Sequence, residues 1–419
     1  MNLLIITQII DKGSARLGFV HDWIEEFAKH SKQITVICLY KGKVELPSNV
    51  KVLSLGKEKG ECRIKYLFNF YKYIWRERKN YDSVFVHMNA IYVVLGGFLW
   101  KIWKKKIGLW YVHRAVPMSL KIAEKFTDII FSASQNGFNL KTKKLKILGH
   151  GIDLNKFKPI TTSPLLSKEM SGNTSSSLSK NESKNIPPSL SKEMPGEVHA
   201  KSPSLSKEMP GEVHIKSGEE LTNFPSLSKE GSGEVHVFKI IYIGRISKIK
   251  NQKLLFQALN ILVNKKFIHS IKIDLIGDAR TKDELRYEKD LKLYLKEHKL
   301  NNFVDFKGAV NFNDIIKYYQ NADLSLNLCP TGGMDKAVLE SLASSVPLIV
   351  INKAFNEVLN DFRDMMILEN ENPEELSEKI IKIKNLEEEK MEEIKIKLRE
   401  KAKNFSLDNL IKKILDNLR

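Results

Sequence analysis

Short apolar runs alternate with helical patterns along the first part of the chain, and this alternation limits the fold more than any other feature. The runs are LLIITQII (3–10), ITVICL (34–39), SVFVH (83–87), IGLWYVH (107–113) and DIIFSA (128–133). Polar or charged residues bound each run, which is typical of buried parallel strands. Apolar residues between the first two runs follow the i, i+3, i+4, i+7 spacing of one helix face: Val20, Trp23, Ile24 and Phe27. This pattern predicts a doubly wound α/β domain.

The same alternation starts again at Val237. Its elements are VFKIIYIG (237–244), a helix over 252–264, IKIDLIG (271–277), FVDFKG (303–308), ADLSLNL (322–328), a helix from about Lys336 and PLIVI (347–351). Two such units in tandem form a cleft at the carboxyl ends of both sheets, where α/β proteins bind their ligands. We therefore predict an α/β fold of two Rossmann-like doubly wound domains, over residues 1–160 and 237–400.

Residues 161–236, between the two units, have a different composition. The phrase PSLSKEMPGEVH occurs at 188–199 and again at 203–214, and variants of it begin at 163 and 225. The copies keep no fixed period and carry no apolar face, so they do not predict a solenoid. A segment this rich in Pro, Ser, Gly, Lys and Glu is typical of disorder. We predict a disordered repeat insertion, and no metal site at its histidines, His199, His214 and His236.

The last residues form a separate helix. An apolar stripe at helical spacing runs through Leu407, Leu410, Ile411, Ile414, Leu415 and Leu418. Such a stripe must pack on another part of the protein, so residues 401–419 are predicted as a terminal helix.

Cysteine usage and hydropathy indicate the compartment. Cys38, Cys62 and Cys329 show neither disulfide nor zinc spacing, which favours a reducing cytoplasm. The N-terminus enters a strand directly and lacks the features of a signal peptide. The longest uncharged apolar stretch, residues 90–100, is 11 residues long, whereas a membrane span needs roughly 20. We predict a cytoplasmic protein, with peripheral attachment to the inner face of the membrane as an alternative.

The net charge of +18 is concentrated in residues 1–160, which hold 28 Lys and Arg against 12 Asp and Glu. This field would attract phosphate groups on anionic lipid, on a lipid-linked acceptor or on nucleic acid, or it serves solubility alone. Tryptophans lie among these cations in YLFNFYKYIWRERK (66–79) and WKIWKKK (100–106). Three interpretations stay open: helices with an aromatic core face, an anionic membrane surface, or base stacking. Of these we expect no nucleic-acid partner.

Two segments carry residues suited to binding a nucleotide. Gly244 and Arg245 follow a predicted strand, with Lys248 and Lys250 shortly after, and cations at such a turn can neutralise a diphosphate. The turn at 331–333 leads into a helix whose free N–H groups would face the cleft. Glu340 lies one turn into that helix, where its carboxylate can accept hydrogen bonds from two ribose hydroxyls.

Six motifs, taken in their order along the chain, resemble those of the retaining group 1 glycosyltransferases of the GT-B fold. They are GHGIDLNKF (149–157), IIYIGRISKIKN (240–251), IDLIGD (273–278), FKGAV (306–310), ADLSLNL (322–328) and the Glu340 helix ending in SSVPLIV. Apart from the insertion, the resemblance covers nearly the whole chain. It implies transfer of a sugar, hexosyl in type, from a nucleotide diphosphate donor, without cofactor or metal. The acceptor would be a sugar or a lipid-linked or cell-envelope glycan.

The resemblance also implies roles for individual residues. Arg245 and Lys250 would bind the donor diphosphate, and Glu340 would hold the donor ribose. Further donor contacts would come from Gly18, Gly244, Gly333, Met334, Asp335 and Lys336. His113 would contact the transferred sugar and complete a catalytic set with Arg245, Lys250 and Glu340. His87, at the end of its strand, is a candidate for the acceptor cleft, and the terminal helix would return to the N-terminal domain.

One position departs from the family pattern. Members commonly carry two glutamates separated by seven residues, but the position eight before Glu340 is Gly332. Asp335 is a candidate replacement for the missing acid. The departure leaves an alternative open: a catalytically degenerate protein of the same fold that binds a nucleotide sugar or a polyanion without turnover. An epimerase of the same architecture fits the motifs less well.

Overall fold

Parallel strands build two separate sheets. The protein was analysed as a computed structural model, which describes residues 1–15, 17–160 and 236–419. Residues 161–235 of the predicted disordered insertion, with His199 and His214, lie outside the described residues. In the first sheet, seven parallel strands run in the order β3-β2-β1-β4-β5-β6-β7. They are β1 (Asn2–Ile10), β2 (Gln33–Lys41), β3 (Val50–Ser54), β4 (Ser83–His87), β5 (Lys106–Trp110), β6 (Ile129–Ser132) and β7 (Leu145–Ile147).

The second sheet has five parallel strands in the order β10-β9-β8-β11-β12. They are β8 (Phe238–Ile243), β9 (Ile271–Ile276), β10 (Val304–Gly308), β11 (Leu324–Asn327) and β12 (Leu348–Val350). Apolar side chains from both faces of each sheet are buried under helices. The predicted class, two doubly wound α/β domains, is confirmed.

Helices connect the strands. In the N-terminal domain these are α1 (Gly18–His30), α2 (Arg63–Arg76), α3 (Ala90–Ile102) and α4 (Met118–Phe126). In the C-terminal domain they are α5 (Gln252–Asn260), α6 (Lys282–Glu297), α7 (Ile315–Gln320), α8 (Lys336–Ala343), α9 (Arg363–Met366), α10 (Pro373–Lys384) and α11 (Glu388–Lys403), followed by α12 (Leu407–Leu418). In the described ranges, no helix combines the length and the apolar composition of a membrane span.

The terminal helix α12 packs on the N-terminal domain. Its stripe residues are buried against α1 and the first sheet, and Ser83 donates a hydrogen bond to the Leu418 carbonyl at 2.8 Å. His30 Nε2 of α1 lies 2.7 Å from Asp408 Oδ1. The helix begins at Leu407 rather than near 401, since α11 continues to Lys403.

Each sheet reverses its strand order once, and these points locate the site. The reversals lie between β1 and β4 and between β8 and β11. Loops at the carboxyl ends of such strand pairs diverge and leave a crevice for a ligand. Gly244 and Arg245 follow β8, and the turn at 331–333 follows β11. Gly18 comes after β1, and His87 is the last residue of β4.

Candidate functional site

An ion pair joins the two segments that the sequence predicts to bind a nucleotide. Lys250 Nζ contacts Asp335 Oδ2, and Asn327 at the end of β11 donates to the same oxygen at 3.0 Å. Asp335 is the N-cap of α8 and accepts a hydrogen bond from the Ala337 amide. The loop after β8 and the start of α8 are therefore held together at the reversal of the second sheet.

This pairing keeps both groups charged. Burial lowers the pKa of Lys250, but the neighbouring charge of Asp335 outweighs it, and the pKa lies above its ordinary value. Burial likewise raises the pKa of Asp335, and the charge of Lys250 then brings it below the ordinary range. Lys250 thus offers a permanent positive charge, one-fifth exposed, to a ligand that can replace Asp335 as its partner.

Glu340 is buried in α8 with two partners. Tyr319 of α7 donates a hydrogen bond to Glu340 Oε2 at 3.1 Å, and Lys336 Nζ lies 3.8 Å from Oε1. Burial raises the pKa of Glu340, although the charge of Lys336 opposes the shift. The carboxylate is oriented by its neighbours and retains lone pairs for further donors.

Lys336 also connects the two domains. Its ammonium group lies 4.0 Å from the ring centre of Phe19 in α1 and 5.0 Å from that of Phe312, which precedes α7. Burial lowers the pKa of Lys336, against the opposing effect of Glu340. This cation therefore contacts aromatic rings of both domains and a carboxylate.

Gly18 lies at this same crossing. A Cβ atom built on it would be 3.0 Å from Phe312 Cβ, closer than most real contacts. The first turn of α1 therefore approaches the C-terminal domain as closely as a glycine allows. A contact of Gly18 with donor phosphates remains a prediction.

Arg245 lies beside Lys250 but faces α6. Its Nε is 3.2 Å from Glu284 Oε1, and half of the side chain is exposed. The adjacent Gly244 lies next to the side chain of Lys250, since a Cβ added to it would be 3.7 Å from Lys250 Cδ. Gly277 has a φ of +143°, and a Cβ there would be 1.9 Å from the Gly244 carbonyl. Only glycine fits at 277, which lets the ends of β8 and β9 approach each other.

A cavity of about 220 Å³ opens beside Lys250 and Asp335; we refer to it as the donor cavity, after the predicted donor residues that line it. Gly333 and Met334 line it from the C-terminal domain, and Val112, Ser134 and His150 from the N-terminal domain. A Cβ at Gly333 would be 2.5 Å from Ser134 Oγ, so the domains touch at this point. Burial lowers the pKa of His150 to about 4, with the charge of Lys336 adding to the effect, which leaves a neutral imidazole on the wall.

The two predicted histidines are placed differently. His113 is exposed, and its Nδ1 accepts a hydrogen bond from the Ala115 amide at 3.0 Å, which leaves Nε2–H of the neutral ring as a free donor. His87 is only 4% exposed and packs edge-on against Phe19 and Trp23. Burial lowers the pKa of His87 to about 3, assisted by the charge of Lys336. An acceptor contact at His87 remains a prediction, and would require Phe19 to move.

Sequence reasoning missed several residues of this arrangement. Asn327, Tyr319, Ser134 and His150 orient or line the site, but no role was assigned to them. Asn327 and His150 lie inside the motifs quoted above. Asn327 is a polar residue at the end of an apolar strand, and this position could have indicated a role in the site. Tyr319 and Ser134 become visible only once the fold brings their loops to the cleft.

Known proteins match this chain in sequence and in fold. The family model described as "Glycosyl transferases group 1" matches residues 237–385. A human relative, GDP-Man:Man(3)GlcNAc(2)-PP-Dol alpha-1,2-mannosyltransferase, is 24% identical over 173 residues, which are 40% of this chain and 35% of the relative. The match thus spans about a third of that relative's length.

Solved structures share the whole fold. Anabaena Alr3699/HepE in complex with UDP and glucose covers 100% of this chain and 99% of its own, with a TM-score of 0.64 and 15% identity. A glycosyltransferase from Rickettsia africae covers 100% of this chain and 97% of its own, with a TM-score of 0.60 and 15% identity. WaaG, a glycosyltransferase involved in lipopolysaccharide biosynthesis, has a TM-score of 0.58 at 11% identity, covering 100% of this chain and 99% of its own.

Proposed function

Residues 237–385 form a group 1 glycosyltransferase domain in a chain of the GT-B fold, and from this premise we propose that the protein transfers a hexose from a nucleotide diphosphate sugar with retention of configuration. The observation that supports it most is the ion pair between Lys250 and Asp335, which line the donor cavity at the start of α8, with Glu340 one turn further along the same helix. One cation for a diphosphate and one buried carboxylate for a ribose are what a nucleotide diphosphate requires.

Donor binding would exchange partners at Lys250. The diphosphate replaces the Asp335 carboxylate, and Arg245 turns from Glu284 to add a second positive charge. As the bond to the sugar breaks, negative charge grows on the departing diphosphate, and these cations stabilise it without a metal ion. His113 donates from Nε2 to a hydroxyl of the transferred sugar and orients it.

The donor preference can be measured directly. UDP-, GDP- and ADP-sugars are first screened by thermal shift, since UDP occupies the Anabaena structure and the human relative is named for a GDP-linked donor. Saturating ligand at 100 Kd should stabilise the fold by roughly 2.7 kcal/mol. The sugar that stabilises is then tested for transfer, and proton NMR gives the anomeric configuration of the product.

Two results would contradict the proposal. Nucleotide binding with neither hydrolysis nor transfer would identify a binding protein that lacks turnover. Turnover that stops with EDTA and returns with magnesium would contradict metal independence.

His113→Ala should lower the rate of transfer while nucleotide binding persists, and an unchanged rate would remove His113 from the mechanism.

A second part of the proposal is peripheral attachment to an anionic membrane. Helices α2 and α3 pack together through Tyr71, whose hydroxyl donates to the Leu95 carbonyl, and they bury Phe70 and Trp100. Their outer side nevertheless exposes large apolar residues: Ile64, Leu67, Phe68, Trp75, Ile91, Phe98 and Ile102. Cations lie among them, and Arg78 covers the Trp75 ring at 4.7 Å. Apolar side chains amid Lys and Arg suit a lipid headgroup interface.

Flotation with liposomes tests this attachment. Ile64→Ser with Phe68→Ser should reduce binding to vesicles containing phosphatidylglycerol. The matched control, Leu285→Ser with Leu293→Ser, changes two exposed leucines of α6 and should float like the parent. Equal flotation of both double variants, or none of the parent, would refute the attachment.

A further inference from the structure

A larger cavity of about 700 Å³ adjoins the donor cavity; we refer to it as the outer cavity. Its N-terminal wall is formed by Arg114, Gln135, residues 138–142 and Leu145, and its C-terminal wall by loops around 331 and 353. Thr331, Gly332 and Asn352 line both cavities. A molecule in the outer cavity would therefore meet the donor sugar across this shared edge, and the volume suits a small-molecule ligand.

The junction between the cavities is kept open by a glycine. Gly332 has a φ of +117°, a conformation that side chains rarely adopt, and no atom lies within 4 Å of a Cβ built there. No side chain therefore projects between the two spaces at this position.

The charged residues that line the outer cavity are all cations. Arg114, Lys141 and Lys353 line it, and none of its lining residues is Asp or Glu. Within the described part of the chain, no ion pair involves any of these three. Other lysines of the same domain are paired: Lys144 with Glu124 at 3.6 Å and Lys101 with Asp128. Three uncompensated charges around a partly enclosed space create a positive potential that favours an anion.

The number and placement of the charges favour phosphate over other groups. Amide and hydroxyl side chains also line the cavity and suit sugar hydroxyls, but a neutral sugar would leave all three cations without an ionic partner. A single carboxylate would need only one arginine, through two parallel hydrogen bonds. Here the cations come from both walls, Arg114 and Lys141 on one side and Lys353 on the other. A phosphate or diphosphate carries enough charge and enough acceptor oxygens to engage both walls at once.

We propose that the outer cavity binds the acceptor, and that the acceptor carries a phosphate or diphosphate group contacted by Arg114, Lys141 and Lys353. This inference rests on the proposed function, because it names the acceptor class of that transfer. The phosphate-bearing molecule is either a prenyl diphosphate-linked sugar or a soluble sugar phosphate.

Calorimetry on the full chain tests the cavity separately from the donor site. A background with Arg245→Gln and Lys250→Gln removes the donor cations, and inorganic pyrophosphate is titrated into it. Adding Arg114→Gln, Lys141→Gln and Lys353→Gln should weaken pyrophosphate binding at least about tenfold, because several charge-assisted contacts are lost. The matched control adds Lys265→Gln, Lys266→Gln and Lys289→Gln, three exposed lysines remote from both cavities, and should bind like the background.

Further arms identify the ligand. Glucose 1-phosphate, a short prenyl diphosphate in detergent and uncharged methyl glucoside are titrated into the wild type and the outer-cavity triple variant. A cation-dependent affinity for the prenyl diphosphate supports the lipid-linked acceptor, and one for glucose 1-phosphate alone supports the soluble one. The proposal is overturned if no anion depends on the three cations, or if methyl glucoside binds as tightly as the anions.

Circular dichroism checks that each variant is folded, because most of the substitutions lie in the C-terminal domain and all five tryptophans lie in the N-terminal domain. The two proposals fail separately. Pyrophosphate binding that needs the three cations, in a chain that binds no nucleotide, would retain the anion site and refute the transferase. If the chain binds a nucleotide but pyrophosphate binding does not depend on the three cations, the transferase proposal is retained and the anion site is refuted.

Discussion

At the scale of single residues, the site is a set of charges that satisfy one another until a ligand arrives. Lys250 pairs with Asp335, Lys336 lies near Glu340, and Arg245 near Glu284. The sequence indicated Arg245, Lys250 and Glu340 from their positions after a strand and within a helix. It could not indicate their partners, because Asp335, Tyr319 and Asn327 reach them only through the packing of separate loops.

Asp335 competes with the donor for Lys250, and this leads to a prediction. Asp335→Asn removes the negative charge but keeps a side chain that can cap α8. A nucleoside diphosphate should then bind more tightly, by up to about tenfold, because Lys250 no longer has to leave an ionic partner. Calorimetry with the preferred nucleotide measures the change, and weaker binding would show that Asp335 assists the donor instead.

The burial of His87 predicts a pH dependence of stability. Its pKa of about 3 in the folded chain lies below the ordinary value near 6.5, so below that value the unfolded chain binds the extra proton. Stability is therefore lost as the pH falls. Between about pH 7.5 and about pH 5 this histidine should cost about 2 kcal/mol in the free energy of unfolding.

Denaturation followed by tryptophan fluorescence at the two pH values checks this. His87→Gln should lose less stability on acidification than the parent, by about the same 2 kcal/mol. Replacing the exposed His269 in the same way is the control and should leave the dependence unchanged. A His87→Gln variant with the parent's full pH dependence would show that His87 is protonated in the folded chain.

At the scale of elements, the central strands of both sheets and the edge strands β10 and β12 could be predicted, whereas the edge strands β3 and β7 of the first sheet could not. β1, β4 and β8 are covered on both faces, so their sequences are continuous apolar runs. β3 and β7 lie at the sheet edges, are partly exposed and contain Lys51 and Lys146, so no such run marks them. The start of the terminal helix was predicted at 401 but lies at Leu407, because α11 continues to Lys403. No Gly or Pro marks the break between the two helices in the sequence.

The terminal helix is an element whose contribution can be measured. Ile414 is fully buried against α1, so Ile414→Ala should destabilise the N-terminal domain by roughly 2–5 kcal/mol. Trp23 and Trp110 lie in the same cluster and report its unfolding. Lys413→Ala, at the exposed neighbouring position, should change stability little. A tryptophan transition unaffected by Ile414→Ala would mean that α12 does not pack there in solution.

At the scale of the whole molecule, two domains meet at a few contacts around one cleft. Gly18 against Phe312, Ser134 against Gly333, and Lys336 between Phe19 and Phe312 connect them. The donor and outer cavities lie along this boundary, so each is lined by both domains. The sequence predicted the cleft from two tandem α/β units, but the shape and charge of its walls depend on loops whose positions no local pattern encodes.

Calorimetry of the preferred nucleoside diphosphate with the wild type, Lys250→Gln and Glu340→Gln tests the central claim most directly. Each variant should lose roughly tenfold to a hundredfold in affinity, as expected for a lost hydrogen bond to a charged group. Lys265→Gln and Glu297→Gln, at exposed positions of the same domain, should bind like the wild type. If either site variant binds as tightly as the wild type, the two groups do not hold one nucleotide.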